Sequence, residues 1–156
     1  CSGRIASKTN NLAVLNPKVA AEWHPTKNGD LKPKQIVPGS HKRVWWKCNK
    51  GEDHEWEAIV HSRAIRSLGC PFCSGRIASK KNNLAIAYPD LVAEWHPTKN
   101  GDLTPEKSMP GSGKRVWWKC PQGDDHEWKT SIVARARKET GCPHCWAIRN
   151  RKLKKK

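Results

Sequence analysis

One arrangement of soft ligands occurs twice in this sequence, and it limits the possible folds more than any other feature. Cys48 and His54 are followed by Cys70 and Cys73, and Cys120 and His126 by Cys142 and Cys145. Each copy reads C-x5-H-x15-C-x2-C, two close pairs separated by a loop. Tetrahedral zinc takes four Cys and His ligands supplied in this way. Gly51 and Gly123 relieve the backbone inside the first pair. Gly69 and Gly141 precede the second, and Pro71 and Pro143 stiffen its turn. The expected cofactors are two structural Zn2+ ions, because four protein ligands leave none of the open positions that catalytic zinc requires. Buried free cysteines would need no His in register, and disulfides suit small secreted domains. Neither a secretory leader nor an apolar run of membrane length is visible.

Metal is also what the rest of the chain calls for. Apolar residues make up 36%, with one Phe, one Tyr and one Met but nine Trp, so an aliphatic core is scarce. Structural zinc contributes roughly 10–16 kcal/mol in small finger peptides, more than so poor a core supplies. The copies are related by a gapless shift of 72: the run that starts at Cys1 recurs from Cys73, and Trp23 maps to Trp95. Solenoid repeats are shorter and share a core with their neighbours, so this period with a metal in each copy indicates beads on a string. The expected organisation is the end of a truncated upstream repeat over 1–10, with Cys1 an orphaned ligand, zinc modules over 11–75 and 76–146, and a basic, disordered tail over 147–156.

Local signals give the fold class, a small metal-stabilised α+β architecture. Pro17 and Pro89 stand at first helical positions and lead into apolar residues at helical spacing, which predicts about two turns over 18–23 and 90–95. Asn28-Gly29 marks the turn that follows. The β-branched and aromatic stretch 44–47 predicts a strand, with 55–60 as its antiparallel partner and the first ligand pair in the hairpin turn. Trp45 and Trp46 face opposite sides of such a strand, so only one of them can join the core. Each module is thus a short helix plus a β-hairpin around a Cys3His site.

The run from Asn11-Leu12-Ala13 through Ala21-Glu22-Trp23-His24-Pro25-Thr26-Lys27-Asn28-Gly29-Asp30-Leu31, Val44-Trp45-Trp46-Lys47-Cys48 and His54-Glu55-Trp56 to Gly69-Cys70-Pro71-Phe72-Cys73 resembles the tandem-repeat zinc-ribbon or treble-clef zinc-finger family. The resemblance covers both repeats nearly end to end. Members of that family long lacked an assigned function, and some stand beside restriction-endonuclease-like domains. The resemblance therefore implies a zinc-stabilised module that handles DNA, and it implies no chemistry. Ribbon and treble clef are distinguished by whether a helix follows Cys73. In this chain Glu52-Asp53 and Asp124-Asp125 lengthen the first knuckle and leave the ligand set intact.

A net charge of +16 implies a polyanionic partner. Candidate phosphate contacts flank the knuckles: Lys42, Arg43, Lys47, Arg63 and Arg66 in the first copy, and Lys114, Arg115, Lys119, Arg135, Arg137 and Lys138 in the second. Arg149, Arg151 and Lys152 follow in the tail. The expected function is a non-catalytic tandem zinc-finger module that binds duplex DNA through phosphates. The alternatives are a single-strand or RNA binder that stacks bases on exposed Trp, with Trp46 and Trp118 as test positions, and a protein-interaction or spacer array. Other repeats of the same array are further possible partners; a membrane or small-molecule substrate is not expected. No phosphate loop, catalytic triad or H-E-x-x-H occurs, so the expectation is no enzymatic activity. His24 and His96 read as loop residues, and His41, His61 and His144 lack counterparts in the other copy. The expected location is an intracellular, reducing compartment, the nucleoid or nucleus.

Overall fold

A computed structural model describes residues 5–138 and 140–153, with the backbone alone at 152 and 153. Cys1, the side chain of Lys152 and the last three lysines lie outside the described residues. The chain divides into two compact units, Cys1–Ser74 and Gly75–Lys156. Among the described residues no helix is long and apolar enough to cross a membrane.

The first unit opens with two single helical turns where one longer helix is predicted. The side chain of Asn11 accepts the Val14 N–H and caps α1 (Leu12–Leu15). Asn16, preceding a proline, leaves helical geometry (φ −134°, ψ 63°), and Pro17 starts α2 (Pro17–Ala20). The predicted continuation to Trp23 fails because strand β1 captures that backbone. Lys47 N–H donates to Glu22 O at 2.7 Å, and His24 N–H to Trp45 O at 3.1 Å. Trp23 thereby bridges Trp46 and sets its ring edge-on to it, with centroids 5.5 Å apart and planes at 79°. Packing of two indoles has overridden local helix preference.

Strand β1 (Arg43–Lys47) pairs antiparallel with β2 (Glu55–Ile59), Trp46 opposite Trp56. The alternation resolves the tryptophan pair. Trp46 is fully buried and donates its indole N–H to Ala58 O, whereas Trp45 is half-buried on the other face. Leu12, Ile36, Val44, Trp46, Trp56 and Val60 form the core, joined by Phe72 and the ligands Cys48 and Cys70. Helix α3 (Val60–Ala64) follows β2 directly and carries Arg63 inward.

The second unit repeats this plan with α4 (Leu84–Ala87), α5 (Pro89–Val92), β3 (Arg115–Lys119), β4 (Glu127–Ser131) and α6 (Ile132–Arg137). Trp118 is fully buried in a core with Leu84, Val116, Ile132 and Ala136. The chain then forms α7 (Pro143–Leu153), eleven residues long, where a disordered tail is expected from 147. Among the described residues the first unit has no counterpart. Gly75, directly after the first unit, adopts φ +70° and turns the chain, and Ala147 at the equivalent position of the second copy continues a helix. A helix therefore starts within the last ligand pair in the second unit, between Cys142 and Cys145, and none does so between Cys70 and Cys73.

The identical loops 24–31 and 96–103 are held from within. His24 accepts the Thr26 and Lys27 N–H groups at Nδ1, so its proton sits on Nε2, 3.2 Å from Glu55. His96 Nε2 lies 3.0 Å from Glu127 and hydrogen-bonds it. Asn28 clamps Trp45 by donating to its carbonyl and accepting its N–H, and Gly29 supplies φ +57°. Lys27, then Lys47 and His24, hold the Glu55 carboxyl down at about 2. Lys99 and His96 lower Glu127 in the same way. His24 and His96, read from sequence as loop residues, are buried positioning groups of this network.

Candidate metal centre

Cys48 immediately follows β1 and His54 precedes β2, so the hairpin turn supplies the first ligand pair. Cys48 N–H donates to His54 O at 3.0 Å and His54 N–H to Gly51 O at 3.2 Å, which closes the turn. Lys50 N–H points at Cys48 Sγ, 3.5 Å away, a knuckle amide favouring thiolate charge. The turn after α3 brings in Cys70 and Cys73. The ligand atoms of Cys48, His54, Cys70 and Cys73 all lie within 4.8 Å of one another, as do those of Cys120, His126, Cys142 and Cys145.

The spacing within each group fits zinc. Bonds of about 2.3 Å to sulfur and 2.0–2.1 Å to nitrogen give tetrahedral edges of about 3.8 Å between sulfurs and about 3.5 Å between sulfur and nitrogen. Here Cys48 Sγ and Cys73 Sγ are 3.7 Å apart, and His54 Nδ1 lies 3.7 Å from Cys70 and 3.5 Å from Cys73. In the second site Cys120 and Cys145 are 3.6 Å apart, and His126 Nδ1 is 3.4 Å from Cys145. Each Cys3His group can hold one zinc ion, with Nδ1 as the imidazole donor. Four donors would surround the ion, which would tie the hairpin to the last ligand turn of its module.

An aromatic side chain inside each Cys-Pro-x-Cys turn supports the imidazole. Phe72 stacks on His54 with centroids 5.0 Å apart and planes at 10°, and His144 stacks on His126 at 5.1 Å and 14°. His144, without a counterpart histidine in the first copy, therefore has the role that Phe72 fills there. A flat ring at the third position of the turn is the signal that could have found it. His41 and His61 stack on each other instead, 5.3 Å apart.

Gly51 is held to glycine by this site. A Cβ there would lie 2.6 Å from His54 Cδ2 and Nε2, and one at Gly123 would lie 3.0 Å from the same atoms of His126. Gly51→Ala should therefore push the imidazole off the metal and weaken zinc in the first site by tenfold or more, with Gly123→Ala the milder change. Competition with a chromophoric chelator checks this, and equal zinc affinity in Gly51→Ala and the parent would rule it out.

The proposed phosphate contacts divide. Lys42, Arg43, Arg66, Lys114, Arg115, Arg137, Lys138, Arg149 and Arg151 are exposed. Lys47 is exposed but ion-paired to Glu55 at 3.0 Å, and Lys119 is half-buried. Arg63 and Arg135 are not at the surface at all. Arg63 is 6% exposed, ion-paired to Glu22, donates to Leu68 O, and lies against the rings of Trp46 and Trp56, 5.4 and 5.3 Å from their centroids. Arg135 does the same with Glu94, Thr140 O, Trp118 and Trp128. A guanidinium can be buried this way because a carboxylate, a carbonyl and two indole faces replace most of its water, leaving only Nε without a hydrogen-bond partner. Trp46 and Trp118 are likewise removed from any stacking role by their burial.

Residues 19–76 and 91–148 each match the family described as a probable treble clef zinc finger domain, together more than half of the chain. No curated protein matches the chain.

Proposed function

This chain belongs to the probable treble clef zinc finger family, and we propose that its two zinc modules form a non-catalytic unit that binds duplex DNA through the phosphate backbone. The observation that carries this reading is the division of charges. The carboxylates of Glu22, Glu55, Glu94 and Glu127 are engaged inside the modules by arginine, lysine or histidine. Lys42, Arg66, Lys114, Arg137 and Lys138 stand at the surface with no ion pair among the described residues. Exposed cations in equivalent places on two linked modules suit a regularly charged polymer, where linkage adds avidity.

Base stacking on the outward tryptophans is the weaker reading. Trp45 and Trp117 are half-buried, and Lys27 Nζ and Lys99 Nζ lie over their rings, 4.6 and 4.9 Å from the centroids. An incoming base would displace a lysine already held by glutamate. Thiolate ligands persist in reducing surroundings, so the reading places the protein inside the cell, where nucleoid or nucleus offers duplex DNA.

Salt dependence tests the proposal. Each phosphate neutralised on B-DNA contributes about −0.9 to the slope of log K against log salt, so contacts from both modules should give about −4 or steeper. A flat curve would leave a protein-contact or spacer array, and preference for single strands would favour the stacking reading.

A further inference from the structure

We infer that helix α7 is the base-reading element, entering the major groove of duplex DNA with Trp146, Arg149 and Asn150 toward the base edges. The inference rests on the duplex-binding reading above and adds to it a location and a source of sequence preference.

Among the described residues α7 is the longest helix, eleven residues against four to six for the other α-helices. It is also the helix in which large apolar groups and arginines are exposed together. Trp146 is 67% exposed and Ile148 47%, while Trp46 and Trp118 are fully buried. Arg149 and Arg151 are exposed, and no acidic residue occurs from 140 to 156. Spacings of three and four residues put Trp146, Arg149 and Asn150 on one helical face. The ligands fix where that face points: Cys142 immediately precedes the helix, Cys145 lies in its first turn, and Trp146 N–H donates to Cys142 O at 3.1 Å.

Charge complementarity selects a polyanion, and the residue types select its groove. Phosphate contact alone gives an exposed indole and an amide nothing to do. Arginine pairs in bidentate fashion with guanine O6 and N7, asparagine with adenine N6 and N7, and apolar groups meet the thymine methyl, all in the major groove. That groove in B-DNA, about 12 Å wide, admits a helix of about 10–12 Å diameter. The deep, narrow major groove of A-form RNA does not admit one. The first module lacks this helix, so its share is phosphate contact.

The experiment is selection of binding sites from a randomised duplex DNA library by the zinc-loaded full chain, repeated with Trp146→Ala, Arg149→Ala and Asn150→Ala. Lys42→Ala serves as a phosphate-contact control, zinc content is measured on every protein, and guanine N7 methylation interference reports the groove. Arg149→Ala and Asn150→Ala should lower affinity for the enriched duplex by about 5- to 150-fold and relax one position each. Their affinity for unselected duplex should change little, and Lys42→Ala should weaken both duplexes alike. The same motif enriched by every variant, no methylation interference, or duplex binding with no enriched motif would each overturn the role of α7 while leaving phosphate binding in place. Absence of any duplex binding would remove both.

Discussion

Stripping zinc from this protein should unfold both modules, with loss of the hairpin signal in circular dichroism and a red shift of tryptophan emission as Trp46 and Trp118 meet water. Structural zinc is worth about 10–16 kcal/mol in finger peptides, and a domain's whole stability is about 5–15 kcal/mol. The cores are too small to compensate: the second has five buried members, two of them Val116 and Ala136. Acid should act in the same direction. With the ion removed, desolvation and the thiols of Cys48 and Cys70 push Cys73 up to about 11, and Cys145 rises to about 11 through desolvation and Cys120. Protons therefore compete with the metal, binding releases them, and apparent zinc affinity falls as pH falls. A chelated protein that keeps its native emission would show that the indoles alone hold the fold.

Arg63→Ala should destabilise the first module by about 3–5 kcal/mol, as expected when a partner is removed from a buried ion pair and a gap opens in a packed core. Glu22 would lose its partner, the Leu68 carbonyl its donor, and the Trp46 and Trp56 rings the guanidinium beside them. Arg135→Ala should act likewise in the second module through Glu94. Lys42→Ala and Arg66→Ala, by contrast, should leave stability within about 0.5 kcal/mol. Urea unfolding in excess zinc separates the two classes. An Arg63→Ala protein of unchanged stability and weakened DNA affinity would return that residue to the phosphate-contact set.

These arginines also show where the sequence could and could not be read. The ligands were legible because four donor atoms around one small ion leave a narrow choice of spacing, and the same pattern occurs twice. The hairpin was legible from alternation: a strand with Trp45 and Trp46 adjacent must bury one and turn the other out. Arg63 was not legible. An arginine in a basic chain reads as surface charge, and its partner Glu22 lies 41 residues away. The short helices were overestimated for a related reason, since the hydrogen bonds that end them come from β1, more than twenty residues downstream. His24 and His96 belong to the same class: a histidine between tryptophan and proline gives no local hint that its ring organises the loop after it. The aromatic partners of the imidazole, Phe72 and His144, stood in plain view and carried meaning only once the rings could be seen in parallel. Helix α7 depended on a difference between the two copies, alanine in place of the left-handed Gly75.

The four ligands of each site, and the indoles and arginine packed behind them, all come from one continuous stretch of chain within one unit. Duplicating such a stretch copies its ion, its core and its buried charge pair together, and creates no orphaned half-site. Copy number can then change by gene duplication without rebuilding an interior, and later substitutions are free to fall on the surface. The divergence that leaves a turn after Cys73 and a helix around Cys145 is of this kind: it changes what a copy can touch and leaves what holds it together untouched.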